Sequence, residues 1–285
     1  MTVLVTVFTK LQMTSTEETV NEDETKLVSI SKLRKQIQQI KGVRILENAN
    51  LDDIYLLRFL YSTSFNIDEA FKRFKGYHES VQKYPLLYPL TGPLDRRPII
   101  ERNISTLLPD CDRKGRPIYI FKPGNANYSQ MKFSDQSGID DNLFEYLLVH
   151  NPEIAEKGIC YILDAKDHSY GFVRWLSITN MNMGLNKLNY LPFKDFMCHV
   201  VNQSNILKIT TKMIWPLIPE SSKKNVRIHA DCSCLHEYID PEVLPPEYGG
   251  NKEIDYESIH KSYYDKHDDI VKSYSNIRQR SGKLK

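Results

Sequence analysis

The sequence predicts an α/β protein: a small all-helical N-terminal module, then a larger domain with a mostly parallel sheet flanked by helices. Three observations carry this expectation. Over residues 26–92 the apolar residues recur at helical spacing. From residue 93 short apolar runs alternate with helical stretches, the pattern of strand–helix–strand units. At 285 residues and 33.2 kDa the chain is long enough for one large domain and one small one.

In the module, Leu27, Ile30, Leu33, Ile37 and Ile40 form one helical stripe, ended by Gly42. Asn50 is placed to cap a second helix, with Asp52 and Asp53 in its first turn and Ile54, Leu57 and Leu60 or Tyr61 as its inner face. Asn66 is placed to cap a third, with Glu69 positioned to reach back as in a capping box and Ala70, Phe71, Phe74 and Tyr77 along one face. Pro85 and Pro89 end the segment, so the module is expected over 26–92. Residues 1–25 read as a disordered acidic tail.

The larger domain is expected over 93–258, followed by a C-terminal tail over 259–285. Asp112-Arg113-Lys114-Gly115 is a turn leading into a strand at Pro117–Phe121. Leu143–Val149 is helical and apolar. Ile159–Leu163 is a nearly continuous apolar run ending in Asp164, as in a strand buried on both faces. Phe172–Leu191 reads as helix, Cys198–Asn202 as strand, Ile206–Ile218 as helix interrupted at Pro216, and Val226–His229 as strand. Leu244-Pro245-Pro246-Glu247-Tyr248-Gly249-Gly250 is a rigid corner. Its prolines stop helix and strand, its glycines permit a reversal, Tyr248 can pin the corner to a core and Glu247 can pair with a cation.

Composition narrows the function. Lys+Arg number 38 against 36 Asp+Glu, a net charge of +2, which gives no basis for a nucleic-acid partner. Five scattered cysteines fit a reducing cytosol better than a disulfide framework. No apolar run approaches the ~20 residues needed to span a bilayer. Val3–Phe8 is apolar but lacks the basic flank and cleavage site of a signal peptide, and a frayed terminus or a start upstream of Met13 is the favoured reading.

Several reactive-looking clusters are discounted. His229, Cys232, Cys234 and His236 lack the two paired arms of a zinc site. Asp164, Asp167 and His168 resemble part of a catalytic set, but no Gly-x-Ser-x-Gly elbow supplies a nucleophile. There is no Gly-x-x-x-x-Gly-Lys loop for a nucleotide. The glycosylation patterns at Asn103 and Asn202 have no meaning for a cytosolic chain. The expectation is therefore a protein without enzymatic activity, metal or cofactor.

Six segments in order resemble the CRAL-TRIO family. Leu56–Leu60 with Phe65–Ala70 is similar to its helical N-terminal module, and Gly115–Ile120, Ile162–Asp164, His199–Asn202 and Arg227–His229 to its successive strands. Leu244–Gly250 is similar to the run that closes its lipid-binding domain. The arrangement is most similar to the tocopherol-transfer and retinaldehyde-binding branch. That resemblance implies a sheet flooring an apolar cavity, helical walls and a mobile amphipathic gate helix. Leu148, Ile159, Leu163, Leu176, Leu188, Cys198 and Val200 are the candidate cavity residues, and Ile206, Ile209, Met213, Ile214 and Leu217 the candidate apolar face of the gate, with Lys208 and Lys212 turned away. Lys194, Lys223, Lys224 and Arg227 are the candidate phosphoinositide or membrane cations. The chain departs from the branch at Tyr61-Ser62-Thr63 and at Phe196, where relatives carry further cations. The implied function is a monomeric cytoplasmic carrier of one hydrophobic lipid, tocopherol-, retinoid- or phospholipid-like, that associates transiently with membranes. A lipid-regulated adaptor acting through a protein partner is the alternative.

Overall fold

The computed structural model describes residues 23–40, 49–88 and 91–281. Most of the expected acidic tail (1–22) and the Gly42 helix stop lie outside these residues. Residues 23–25 belong to the first helix, α1 (23–38). Its stripe is real from Ile30 onward: Ile30, Leu33 and Ile37 are buried, whereas Leu27 in the first turn is exposed.

Helix α2 (Asp53–Ser62) turns differently from the expected face. Tyr55, Leu56, Phe59 and Leu60 point into the core and Ile54 is exposed, because the module closes on aromatic rings: Tyr55, Phe59 and Phe74 meet edge to face. Asn50 does not cap α2 itself; its Oδ1 accepts from the N–H of Asp52, the residue that precedes the helix. Helix α3 (Ile67–Lys83) begins as expected, with Asn66 Oδ1 accepting from the Glu69 N–H.

After the short α4 (Arg97–Ile100) come the five strands of one sheet, in spatial order β1 (Ser105–Cys111), β2 (Pro117–Phe121), β3 (Ile159–Asp164), β4 (Phe196–Val201) and β5 (Val226–Ile228). β1 and β2 are antiparallel, joined through the turn at Gly115 (φ +74°), and every other pair is parallel. β1 was not among the expected strands. The parallel strands are linked by α5 (Phe133–Leu148) and α6 (Ile154–Lys157), by α7 (Tyr170–Trp175) and α8 (Ile178–Tyr190), and by α9 (Asn205–Ile214) and α10 (Glu220–Lys223). The single helix expected over 172–191 is thus two, broken at Leu176–Ser177, where Ser177 caps α8 through the Asn180 N–H. Of residues 259–285, read from sequence only as a tail, 259–281 contribute to α11 (Tyr256–Tyr264) and α12 (His267–Ser281), whose Tyr263, Ile270 and Tyr274 are buried in the main core, and 282–285 lie outside the described residues.

Strand alternation separates two cores. Tyr119, Phe121, Ile159, Tyr161 and Leu163 face the helices. Ile118, Ile120, Cys160, Ile162 and Val201 face a second cluster built from Leu235, Ile239, Leu244 and Tyr248. The Leu244–Gly250 corner therefore covers the back of the sheet. Gly249 has φ +75°, and a Cβ on Gly250 would lie 1.9 Å from the Leu244 carbonyl oxygen, so both glycines are required for the reversal. Lys122 pairs with Glu247 at 2.7 Å.

The N-terminal module is locked to the larger domain. Arg58 Nη1 and Nη2 donate to Glu145 Oε2 and Oε1 at 2.8 and 2.9 Å, both side chains being buried. Arg73 Nη1 donates to the Phe193 carbonyl at 2.6 Å. Gly76 lets α3 press against α8, since a Cβ there would lie 2.2 Å from the Tyr190 ring.

Candidate ligand cavity

Between the helix-facing side of the sheet and its helices lies a cavity of about 280 Å³. This is near the lower end of the ~300–1,000 Å³ range of small-molecule sites. Its floor is Phe121, Tyr161, Leu163, Phe196 and Cys198, the inward residues of three neighbouring strands. One wall is α5, through Phe133, Gln136, Ser137, Asp140 and Phe144. The other is α7 and α8, through Phe172, Trp175, Met181, Leu185 and Leu188. Leu188 lines the cavity and is 42% exposed, so it marks the mouth.

Aromatic rings shape the interior. Phe133 and Trp175 have centroids 4.7 Å apart, Phe121 and Phe172 6.1 Å, and Phe144 and Phe196 5.7 Å. Such rings bring large apolar area with few rotatable bonds. Burial pushes the Cys198 thiol up to about 12, so this floor residue stays neutral.

One stretch of the α5 wall is polar. Lys187 on α8 donates to Asp141 Oδ1 at 2.6 Å, to Ser137 Oγ at 2.6 Å and to the Leu87 carbonyl at 2.9 Å. Burial pushes the Asp141 carboxyl up to about 6, against the opposing pull of the Lys187 charge. Tyr119 donates its hydroxyl to Asp140, and Gln136 Nε2 donates to Asp140 Oδ1 at 2.7 Å. Burial raises Asp140 as well, with the Tyr119 hydroxyl, Lys187 and Gln136 pulling it down.

Of the residues expected in the cavity, Leu163, Leu176, Leu188 and Cys198 line it. Three others are buried elsewhere. Leu148 lies beside Arg58 and Glu145 at a void of only about 20 Å³ between the module and α5. Ile159 and Val200 are buried on the same strand faces, opposite the floor residues Phe196 and Leu163, but do not line the cavity. The gate residues are placed differently from the expectation. None lines the cavity: Leu207 and Ile214 take the buried side of α9, Leu217 is half-buried, and Ile206, Ile209 and Met213 are 55%, 63% and 67% exposed. The apolar arc of α9 is wider than its contact with α7, so half of it faces outward.

The candidate cations gather at one end of the sheet. β4 and β5 run parallel with Cys198 opposite Val226, which puts Lys194 and Lys224 at the same edge. Lys223 is paired with Glu220 and sits over the Trp215 ring, and Lys194 lies 3.9 Å from Glu156. Lys224 and Arg227 are exposed, and Arg227 Nη1 donates to the Lys224 carbonyl at 2.6 Å. Phe196 supplies a ring to the cavity floor.

The discounted clusters have structural duties. Asp164 Oδ2 accepts from Tyr248, and His168 lies between the Ala165 carbonyl and Ser204 Oγ, the cap of α9. His229 Nε2 meets His199 Nδ1 at 2.8 Å, and His236 meets the Tyr248 carbonyl. Among the described residues no helix is long and apolar enough to cross a membrane.

Sequence reasoning missed the aromatic wall and the polar residues of α5. The run Phe133–Leu148 mixes polar and apolar residues, and nothing in it sets Gln136 and Asp140 apart from solvent-facing positions.

Comparison with known proteins agrees with this architecture. The "Alpha-tocopherol transfer protein-like" protein of Homo sapiens is 25% identical over 231 residues, covering 80% of this chain and 67% of that one. Clavesin-1 of Rattus norvegicus is 25% identical over 227 residues, covering 76% and 64%. The crystal structure of Sfh5 superposes with a TM-score of 0.51 at 14% identity, covering 83% of this chain and 91% of that one, and shares the fold. The family model for the CRAL/TRIO domain matches residues 101–250, which contain all five strands, the cavity floor and the closing corner. The chain belongs to the CRAL-TRIO family of lipid and small-hydrophobic-ligand transfer proteins.

Proposed function

We propose that this protein carries one hydrophobic molecule in the cavity between sheet and helices and exchanges it with membranes. The observation that carries this is the apolar cavity of about 280 Å³, open to the surface beside Leu188. A cavity of about 150 Å³ accommodates one benzene. The space here therefore suits a ring system or a single slender chain better than a two-chain phospholipid. The names of the curated relatives make a tocopherol the first compound to test. Affinity comes from burial of apolar ligand area, at about 25 cal/mol per Å² before ordering costs. No bond is made or broken, and one chain is the working unit.

Release couples to the membrane through α9. Its exposed Ile206, Ile209 and Met213 form an apolar face, and Lys208 and Lys212 lie on its other side, the pattern of a helix that lies on an anionic bilayer. Lys194, Lys223, Lys224 and Arg227 supply nearby charge for phosphate head groups, phosphoinositides among them. The protein would then work in the cytoplasm with transient membrane contact. Transfer of a fluorescent tocopherol analogue from protein to vesicles tests the proposal. Uptake in a one-to-one ratio with vesicle-dependent release is expected; failure to take up any hydrophobic ligand would refute it.

A further inference from the structure

The polar stretch of the cavity wall has an uneven hydrogen-bonding balance. Its donors are spent. Lys187 uses its three N–H bonds on Asp141, Ser137 and the Leu87 carbonyl. Gln136 Nε2 donates to Ser105 Oγ and Asp140 Oδ1, both at 2.7 Å, and Tyr119 donates to Asp140. Acceptors remain. Gln136, 3% exposed, has its Oε1 buried without a partner. Asp140 accepts on Oδ1, and Oδ2 has no hydrogen bond among the described residues. Such an orphaned buried acceptor costs stability unless something supplies a donor.

One group nearby can both give and accept. The Tyr161 hydroxyl belongs to a ring stacked on Tyr119 at 5.0 Å, within electrostatic reach of Asp140, and makes no hydrogen bond among the described residues. Trp175 Nε1 is also unpartnered, but its neighbours are the rings of the aromatic wall.

We propose that this wall selects a hydroxylated hydrophobe: an apolar alcohol or phenol whose O–H donates to Asp140 Oδ2 while its oxygen accepts from the Tyr161 hydroxyl. The selection rests on the carrier function proposed above and adds the chemical class of its cargo. An ether has an oxygen but no proton to give. A carboxylate brings a second negative charge beside Asp140, with the Lys187 charge already paired to Asp141.

The test is competitive uptake by the delipidated full chain from an equimolar mixture of 1-dodecanol, dodecyl methyl ether and dodecanoic acid at neutral pH, with the retained compounds quantified by mass spectrometry. Equal chains isolate the head group. The alcohol is expected at least about tenfold in excess of either competitor, the scale of one unmade buried hydrogen bond. Asp140→Asn, which places an amide where only acceptors stood, is expected to shrink that preference several-fold, with unfolding curves confirming that the variant is folded. Ether or acid retained as well as the alcohol overturns the head-group selection and leaves the carrier function standing. Retention of none of the three refutes both.

Discussion

The Tyr248 hydroxyl donates to Asp164 Oδ2 at 2.8 Å, joining the corner behind the sheet to the C-terminal end of its central strand β3. The other oxygen of Asp164 accepts from Asn202 Nδ2 at 2.7 Å and from the Lys166 N–H at 3.0 Å. One carboxylate thus ties together β3, the end of β4 and the Leu244–Gly250 corner. Tyr248→Phe keeps the ring and removes only this hydrogen bond. It is expected to cost about 1.5–3 kcal/mol, the range for a hydrogen bond to a charged group, read from urea unfolding midpoints. A change below about 0.5 kcal/mol would show that the tie is incidental.

The buried Arg58–Glu145 pair ties the N-terminal module to the cavity domain. Removing one partner leaves an uncompensated buried charge, so Arg58→Met or Glu145→Gln is expected to cost about 3–5 kcal/mol. Replacing both, as Arg58→Met with Glu145→Leu, is expected to cost clearly less than the two single losses combined. Chemical denaturation of the three variants checks this; additive losses would contradict it.

Acid should destabilise the protein through the back of the sheet. His199 is fully buried, stacked on His229 and beside Tyr238, and burial with the His229 neighbour lowers it from 6.5 to about 4. The unfolded chain therefore takes up a proton near 6.5 that the folded chain refuses until about 4. Stability present at pH 7 is lost as pH falls through that window, by up to about 3 kcal/mol. His199→Gln is expected to flatten this part of the pH profile while lowering stability at pH 7. An unchanged slope between pH 6.5 and 4 would contradict the assignment.

The two surface elements are expected to act on release and not on affinity. Replacing Ile206, Ile209 and Met213 together by serine should slow transfer to vesicles at least about fivefold, since each inserted apolar side chain contributes on the order of 1 kcal/mol. Lys223→Glu with Arg227→Glu should slow transfer to anionic vesicles by about tenfold or more and leave neutral vesicles nearly unaffected. Each basic residue near an anionic surface contributes about 1 kcal/mol. Ligand affinity in solution should hold in both variants. Parallel loss of affinity and transfer would contradict this division.

Much of the fold was legible because its signals are local. Pro117–Phe121 matches β2 and the apolar run Ile159–Leu163 matches β3 apart from its last residue, Asp164, and the proline–glycine corner does what its backbone chemistry requires. β1 escaped because Pro109 and Asp110 interrupt its apolar residues, and it survives as an edge strand with an irregular register near that point. The Leu176–Ser177 break has no glycine or proline to announce it. The cavity itself was only partly legible. Period-two alternation identified Leu163 and Cys198, but a void depends on which helices meet, and nothing in a strand's alternation separates the core residue Ile159 from Leu163 on the cavity floor. Gln136 and Asp140 are polar yet inward, and only the tertiary placement of α5 over the sheet reveals them.

Native mass spectrometry of the full chain purified from its own cells addresses the central claim most directly. The account predicts a complex heavier than the polypeptide by one hydrophobic molecule, released on mixing with vesicles. A bare polypeptide mass that no tocopherol, retinoid or long-chain alcohol can shift would contradict it.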